Sequence, residues 1–335
     1  MISLIQFMGI EDRHIRQMAV LLAKRQERER KRFSFLKAMF EEIDETEVIL
    51  RKLLDRPYIS GIVAVRGIDV IGYLLYEFKE SAERGRHVFI DYASLAISEN
   101  EHPRLLRLLY ADAGAEWVKH GYFHHVLMAP LGHPLLIEEM LDQSFRYEQK
   151  YAVLPLKDFT PSENESEPGL EFRKGTPADG LLLRKMAAWN SIHQATAPSW
   201  NPITKELLDE IKQSYSEVAN DEEALFWLAE QSGRMAGFHI YYRKEDPQNL
   251  AVPSNCVELP AASTNPEMRG KGVGRALANH CFMEIKKLGF DYIYTDWHTP
   301  NHLSSYFWPR MGFEPVMVRM SRQIDPRIAW AHGQE

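Results

Sequence analysis

Short apolar runs along this chain alternate with stretches in which apolar residues recur every three or four positions, the pattern of strands interleaved with amphipathic helices. In the first half it predicts a strand at residues 2–7, helices between 11 and 54, strands at 61–65 and 70–78, and a longer strand at 88–96. A helix at 103–119, a strand at 124–129, a helix at 134–142 and a strand at 147–153 complete that half. The second half repeats the order. A strand at 171–173 leads to helices at 177–194 and 204–219, with Thr204 as N-cap ahead of Leu207, Leu208 and Ile211. Strands at 225–230, 235–243 and 257–264 precede a helix ending at 287, a strand at 292–297, a short helix from 302 and a last strand at 315–321. This alternation implies an α/β chain built on mixed sheets.

The two halves are also related residue by residue. Arg16-x-Met18-Ala19 and Gln26 recur 168 positions later as Arg184-x-Met186-Ala187 and Gln194. In the middle the offset is 165, matching Gly72, Tyr76, Lys79 and Glu80 to Gly237, Tyr241, Lys244 and Glu245. It returns to 168 for Gly121 with Gly289 and Phe145 with Phe313. Their order and nearly constant offset predict two copies of one fold, residues 1–155 and 170–325. Between them, residues 156–169 include a run rich in Ser, Pro, Glu and Asn without apolar period, which reads as a linker.

Composition narrows the classes. With 335 residues, 45% hydrophobic and 26% charged, the chain reads as an ordinary two-domain globular protein. The net charge of −7 argues against a nucleic-acid partner. The basic run at residues 24–32 falls in a helical pattern beside Glu27 and Glu29 and reads as a solvated helix face. No apolar run has membrane-spanning length, and the first ten residues lack a secretion signal's basic start and apolar core. Cys256 and Cys281 both lie in apolar patterns, which favours core packing over a disulfide or metal site. A cytoplasmic protein without a metal is expected.

The chemistry concentrates at Asn265-Pro266-Glu267-Met268-Arg269-Gly270-Lys271-Gly272-Val273-Gly274-Arg275. Three glycines at every second position let backbone N–H groups approach an anion closely. The helix that follows, with Val273, Leu277, Cys281, Ile285 and Leu288 as its apolar stripe, turns its unpaired N–H donors and positive dipole end toward the turn. A phosphate suits such a place, although an ordinary basic turn has the same composition. The spacing fits neither the dinucleotide fingerprint, which would need glycine where Arg275 stands, nor the mononucleotide P-loop.

The segment resembles the pyrophosphate-binding motif of the GNAT superfamily of acyl-CoA-dependent N-acetyltransferases, Gln/Arg-x-x-Gly-x-Gly/Ala, as Arg269-x-x-Gly272-x-Gly274. A second signature of that family, an asparagine leading a helix that ends in Gly-Phe, is matched by Asn301 through Gly312-Phe313. The resemblance implies two tandem GNAT-like domains, each a mixed, mostly antiparallel sheet flanked by helices. Applying the 168 offset, Arg269, Gly272, Gly274 and Asn301 correspond to Glu101, Arg104, Leu106 and His133, so the first copy is expected to be degenerate. It would pack, dimerise or form one wall of the substrate site, and a homodimer is one arrangement this leaves open.

What the resemblance implies for the second copy is transfer of an acetyl group from acetyl-CoA to an amine. Ala262 and Thr264 would contact pantetheine along the fourth strand, and Arg269, Gly270, Lys271, Gly272, Val273, Gly274 and Arg275 would cradle the pyrophosphate. Asn301 would contact the pantetheine arm. An amine with an ordinary pKa of about 10 must lose a proton before attack. Glu258 is one candidate base, with Asp296 and His298 as others, and His193 and Trp200 lie where the family's early helices line the acceptor pocket. The family's tyrosine acid falls at Trp308, which has no suitable proton, leaving Tyr306 or water. His298 and His302 straddle Pro300 without a cysteine partner, which disfavours zinc, and no Gly-x-Ser-x-Gly turn supports a serine nucleophile. The rival expectation is a non-catalytic acyl-CoA-binding or interaction protein.

Overall fold

The computed structural model describes residues 4–161, 169–331 and 333. In chain order its elements are β1 (Ile5–Gly9), α1 (Asp12–Arg32), α2 (Ile43–Leu54), β2 (Ile59–Arg66), β3 (Asp69–Ser81), β4 (Gly85–Ile90), β5 (Leu95–Ile97), α3 (Arg104–Lys119), β6 (His124–Pro130), α4 (Pro134–Leu141) and β7 (Arg146–Pro155). There follow β8 (Leu170–Lys174), α5 (Gly180–Met186), α6 (Ala188–Ala195), α7 (Lys205–Val218), β9 (Leu225–Gln231), β10 (Arg234–Lys244), β11 (Cys256–Thr264), α8 (Val273–Lys287), β12 (Tyr292–His298), α9 (His302–Arg310) and β13 (Glu314–Gln323). The expected strand at 2–7 begins outside the described residues. No helix among the described residues is long and apolar enough to cross a membrane.

Two compact units share these elements, but not in chain order. The first holds residues up to Lys150, Gln248–Pro253 and the chain from Pro315 onward. The second holds Tyr151–Pro247 and Ser254–Glu314. In the first, β1, β2, β3 and β4 pair antiparallel in sequence and β4 runs parallel to β6. The next strand is β13, antiparallel to β6 from Met317–Pro130 to Gln323–His124. In the second, β8, β9, β10 and β11 are antiparallel in sequence, β11 runs parallel to β12, and the Tyr151–Pro155 end of β7 adjoins β12. Each unit thus takes a strand from the other half of the chain. This partition differs from the expected boundaries at 155 and 325, because alternation marks a segment as a strand without naming the edge it joins.

Both cores follow the apolar stripes. In the first, α3 sets Leu105, Leu109 and Trp117 against Leu74, Ile90, Val318 and Met320 of the sheet. In the second, α8 buries Val273, Leu277, Cys281 and Ile285 against Val257, Leu259 and Ile293, whereas Leu288, expected in the same stripe, is half exposed. The repeat has structural counterparts. A Cβ on Gly72 would meet Leu109 at 3.2 Å and one on Gly237 would meet Leu277 at 3.1 Å, so the helix approaches both glycines closely, and at Gly237 the Ser263 carbonyl oxygen, 2.8 Å away, adds a tighter limit. Gly121 and Gly289 end α3 and α8 with φ of +77° and +88°.

Several expectations need correction. The strand at 88–96 is broken: Asp91 accepts from its neighbour's N–H, and Tyr92–Ser94 form a 3-10 turn before β5. The helix at 177–194 is divided into a 3-10 turn, α5 and α6. Most of the linker's polar run, 162–168, lies outside the described residues. Its start is no linker, since Leu156 is buried, its N–H donates to Asp291 O at 2.8 Å, and Phe159 packs edge-on against Phe282. The basic run at 24–32 is not wholly solvated either. Arg25 and Glu29 are buried; Arg25 donates to the carbonyls of Tyr92 and Leu95 at 2.6 and 2.7 Å, and Glu29 accepts from Gly132 N–H at 2.7 Å. Two backbone segments with polar groups to satisfy drew these side chains inward. Burial raises the pKa of the Glu29 carboxyl.

Candidate acyl-carrier cleft

The site begins where two parallel strands part. β11 pairs with β12 from Cys256–Tyr292 to Leu259–Thr295 and no further, while its pairing with β10 continues to Thr264. Between Tyr242–Glu258 and Ile240–Ala261 the register shifts, placing one extra residue on β11 beside Pro260. Beyond this bulge one edge of β11 has lost its partner strand. Asn265 N–H donates to Ala236 O on the β10 side at 2.8 Å. The alternation of an antiparallel ladder therefore turns the amides of Ala262 and Thr264 toward the open side. On that side Asn190 Nδ2 of α6 donates to Ala262 O at 3.1 Å.

At the end of β11 the chain enters the glycine turn. Gly270 and Gly272 have φ of +79° and +80°, and Gly272 is the N-cap of α8 with no side chain to satisfy the helix's first donors. The first backbone bond of the helix is Ala276 N–H to Gly272 O at 3.0 Å. The N–H groups of Val273, Gly274 and Arg275 precede it and face the turn. A Cβ on Gly270 or Gly272 would meet nothing within 4 Å, so these two are glycines for their backbone conformation. Gly274 differs: its Cβ would come within 2.9 Å of Thr264 Oγ1, so it is a glycine for want of space. Burial lowers the Arg269 pKa, the expected response of a guanidinium with no carboxylate against it.

The turn, the β11 edge, α6 and α9 surround a cavity of about 1260 Å³. Among the described residues, four cations line it, Arg269, Lys271, Arg275 and Arg310, and no carboxylate does. Asn301 closes one side as N-cap of α9, its Oδ1 accepting Ser304 N–H at 3.3 Å and lying 3.2 Å from His193 Nε2. His239 lies in the wall with Nδ1 2.8 Å from the Tyr241 hydroxyl, and complete burial lowers its pKa to about 3, which keeps it neutral. Ser263 Oγ, also in the wall, is buried with no hydrogen-bond partner among the described residues. Such a cavity admits a long, polyanionic molecule with amide groups along its length.

Residues 188–313 match the model of the acetyltransferase (GNAT) family. This segment is a GNAT domain. The search of curated proteins found no match. Among solved structures, the chain is similar to a GCN5-related N-acetyltransferase from Sphaerobacter thermophilus, at 14% identity over 95% of both chains with a TM-score of 0.56. It is also similar to a GCN5-related glucosamine N-acetyltransferase region of a fungal multi-domain GH3 β-N-acetylglucosaminidase, at 14% identity, 95% of this chain, 38% of the other and a TM-score of 0.54. A tandem GNAT protein from the clavulanic acid biosynthesis pathway matches at 16% identity, 96% and 98% coverage and a TM-score of 0.48. At such identities the two likenesses above 0.5 speak for the fold. They extend it over nearly the whole chain, in keeping with two GNAT-like copies.

Within the GNAT domain, Ala262, Thr264, Arg269, Gly270, Lys271, Gly272, Val273, Gly274, Arg275 and Asn301 come together around one cavity. Tyr306 joins them, largely exposed, with the Arg310 guanidinium over its ring. Trp308 is buried against His239, Phe307 and Phe313. Glu258 is not brought to the cavity; its carboxylate accepts from Lys244 Nζ at 2.7 Å. Asp296 and His298 also lie outside the lining, His298 Nδ1 being 3.4 Å from Asn201 Nδ2. The bulge explains the shift, since Glu258 precedes it, where β11 and β12 are still paired. Asn190, His239, Ser263 and Arg310 had no sequence signal, because each reaches the cleft through tertiary packing.

Proposed function

We propose that the GNAT domain binds acetyl-CoA and transfers its acetyl group to the primary amine of an acceptor by direct attack in a ternary complex. One observation carries the reading. The first-turn N–H groups of α8 and the positive-φ glycines, with Arg269 and Lys271 beside them, adjoin the edge of β11 that β12 leaves, in a single cavity. The diphosphate would take the helix N-terminus and the cations. The pantetheine amides would pair with the main chain at Ala262 and Thr264 as an added strand, displacing Asn190 from Ala262 O. The thioester would then lie toward Asn301, where α6 and α9 meet. Positioning the two reactants supplies most of the acceleration in such a reaction. Tyr306, with the Arg310 guanidinium over its ring, is the phenol in the cavity that can protonate the departing thiolate. Glu258, engaged by Lys244, has no part in this proposal.

The test is calorimetry with acetyl-CoA, followed by release of free thiol across a panel of primary amines. Binding that persists after bulky side chains replace Gly272 and Gly274 would sink the assignment. A second reading is favoured by Trp308 at the family's tyrosine position, with no carboxylate among the described residues that line the cavity: an acyl-CoA-binding protein without turnover. It predicts tight binding and no thiol release with any amine.

The same assignment leaves the first unit without a coenzyme. Glu101, at the position equivalent to Arg269, is ion-paired with Arg66. Leu106, equivalent to Gly274, is a buried core residue, and the N–H of Arg104, equivalent to Gly272, donates to His102 Nδ1 at 3.1 Å.

A further inference from the structure

Resting on the acetyl-transfer reading, we infer that His193 is the general base of the reaction, its free Nδ1 taking the proton from the acceptor amine. Asn190 and His193 stand three residues apart on α6, hence on one face, and that face covers the cleft where β11 leaves β12. Asn190 holds Ala262 O and His193 holds Asn301 Oδ1. The second contact determines the imidazole's tautomer. Asn301 Oδ1 already accepts the Ser304 N–H, which fixes that end of the amide as oxygen, so His193 Nε2 must be the donor. Nδ1 then carries the lone pair, and it has no partner among the described residues. The alternatives in the cavity are weaker: His239 is buried and committed to Tyr241, His302 is exposed on the first turn of α9, and no acid among the described residues lines the wall. In the reaction an acceptor ammonium gives one proton to Nδ1, and the nitrogen lone pair so released forms the new N–C bond. The C–S bond breaks with its electron pair on sulfur. The amide nitrogen's surplus proton neutralises that thiolate, directly or through Tyr306, and His193 returns its own proton to solvent. Asn301 Oδ1 stabilises the transient imidazolium through the Nε2–H.

Two substitutions test this in the full chain, read by the pH profile of kcat/KM and by acetyl-CoA affinity. His193→Gln should lower kcat about 100-fold and abolish the acid limb while leaving the acetyl-CoA Kd within about twofold, which also reports that the domain is folded. Asn301→Asp keeps the helix cap but places a carboxylate on Nε2–H, and should move the acid limb to higher pH. Unchanged kcat in His193→Gln, or an acid limb that stays where it was in Asn301→Asp, overturns the assignment while acetyl transfer itself stands. Absence of turnover by the wild-type protein with every amine overturns both.

Discussion

Gly272 and Gly274 should respond differently when each becomes alanine. At 272 the added methyl meets nothing, but φ is +80°, where an L-residue costs roughly 1–2 kcal/mol. At 274 the backbone is helical and the methyl comes within 2.9 Å of Thr264 Oγ1. Forcing Thr264 off its rotamer costs about 1 kcal/mol, and alanine's advantage over glycine inside a helix offsets about the same amount. Gly272→Ala should therefore lose about 1–2 kcal/mol in urea denaturation, roughly a 5- to 30-fold drop in the folding constant. Gly272→Asn should lose less, since asparagine tolerates that conformation. Gly274→Ala should be near neutral alone and become stabilising, by up to about 1 kcal/mol, once Thr264→Ala removes the clash. If the Thr264→Ala background changes nothing, or if Gly272→Ala costs no more than Gly274→Ala, the distinction between conformation and space is wrong.

Asp179, with its pKa lowered to about 2 chiefly by the Arg173 guanidinium, contributes stability that is complete above the ordinary carboxylate range and lost as pH falls toward 2. Asp179→Ala should cost about 2 kcal/mol at neutral pH and less at pH 2.5, measured by chemical denaturation. His239 has the opposite charge type with the same direction of pH dependence. Because its pKa falls to about 3, the unfolded chain binds the extra proton below about 6.5, so wild-type stability should decline by as much as about 1.4 kcal/mol per pH unit there. His239→Gln should show a shallower decline between pH 6.5 and 4.5; equal slopes would refute the buried neutral imidazole. Arg25→Met leaves the carbonyls of Tyr92 and Leu95 and the Glu29 carboxyl without their cation, and should cost about 3–5 kcal/mol by the same assay. A fragment beginning at residue 170 lacks buried Ala152, Leu154 and Leu156, and should show no cooperative unfolding transition.

The fold was legible where periodicity ran long. α3 and α8 carry unbroken stripes, and the strands at 124–129, 257–264 and 292–297 reappear as β6, β11 and β12 within a residue or two. The glycine turn was legible because Arg269, Gly272, Gly274 and Asn301 stand at the spacing of two signatures of one family, where the glycines alone would have read as an ordinary turn. Glu258 misled, because its residue type suits a base and its strand is the right one, but a single extra residue at Pro260 decides which part of β11 borders the cleft. Arg25 and Glu29 misled for a related reason: charges at helical spacing look solvated until the backbone they satisfy is folded against them. His193 could be placed near the acceptor pocket by position, but its hydrogen bond to Asn301 spans 108 residues and leaves no local trace.

Positions 168 apart explain why one frame yields an open cleft and a closed one. Arg25 on α1 stands 168 positions before His193 on α6, and Leu95, opposite Leu74 two residues on from Gly72, is the counterpart of Ala262, opposite His239 two residues on from Gly237. In the second unit a compact imidazole stops at Asn301 and leaves the cavity open. In the first, the longer guanidinium reaches two main-chain carbonyls, and one turn later Glu29 takes the N–H of Gly132, where a Cβ would come within 2.6 Å of the carboxyl. Three backbone groups of the kind a pantetheine arm would pair are thereby satisfied from within the chain. Restoring glycines at 104 and 106 alone could not reopen that site, because a coenzyme would still have to displace buried charge-assisted hydrogen bonds, each worth about 1.5–3 kcal/mol. The absent cradle and the filled cleft therefore go together in the first unit, whose frame is packed where that of the second is open.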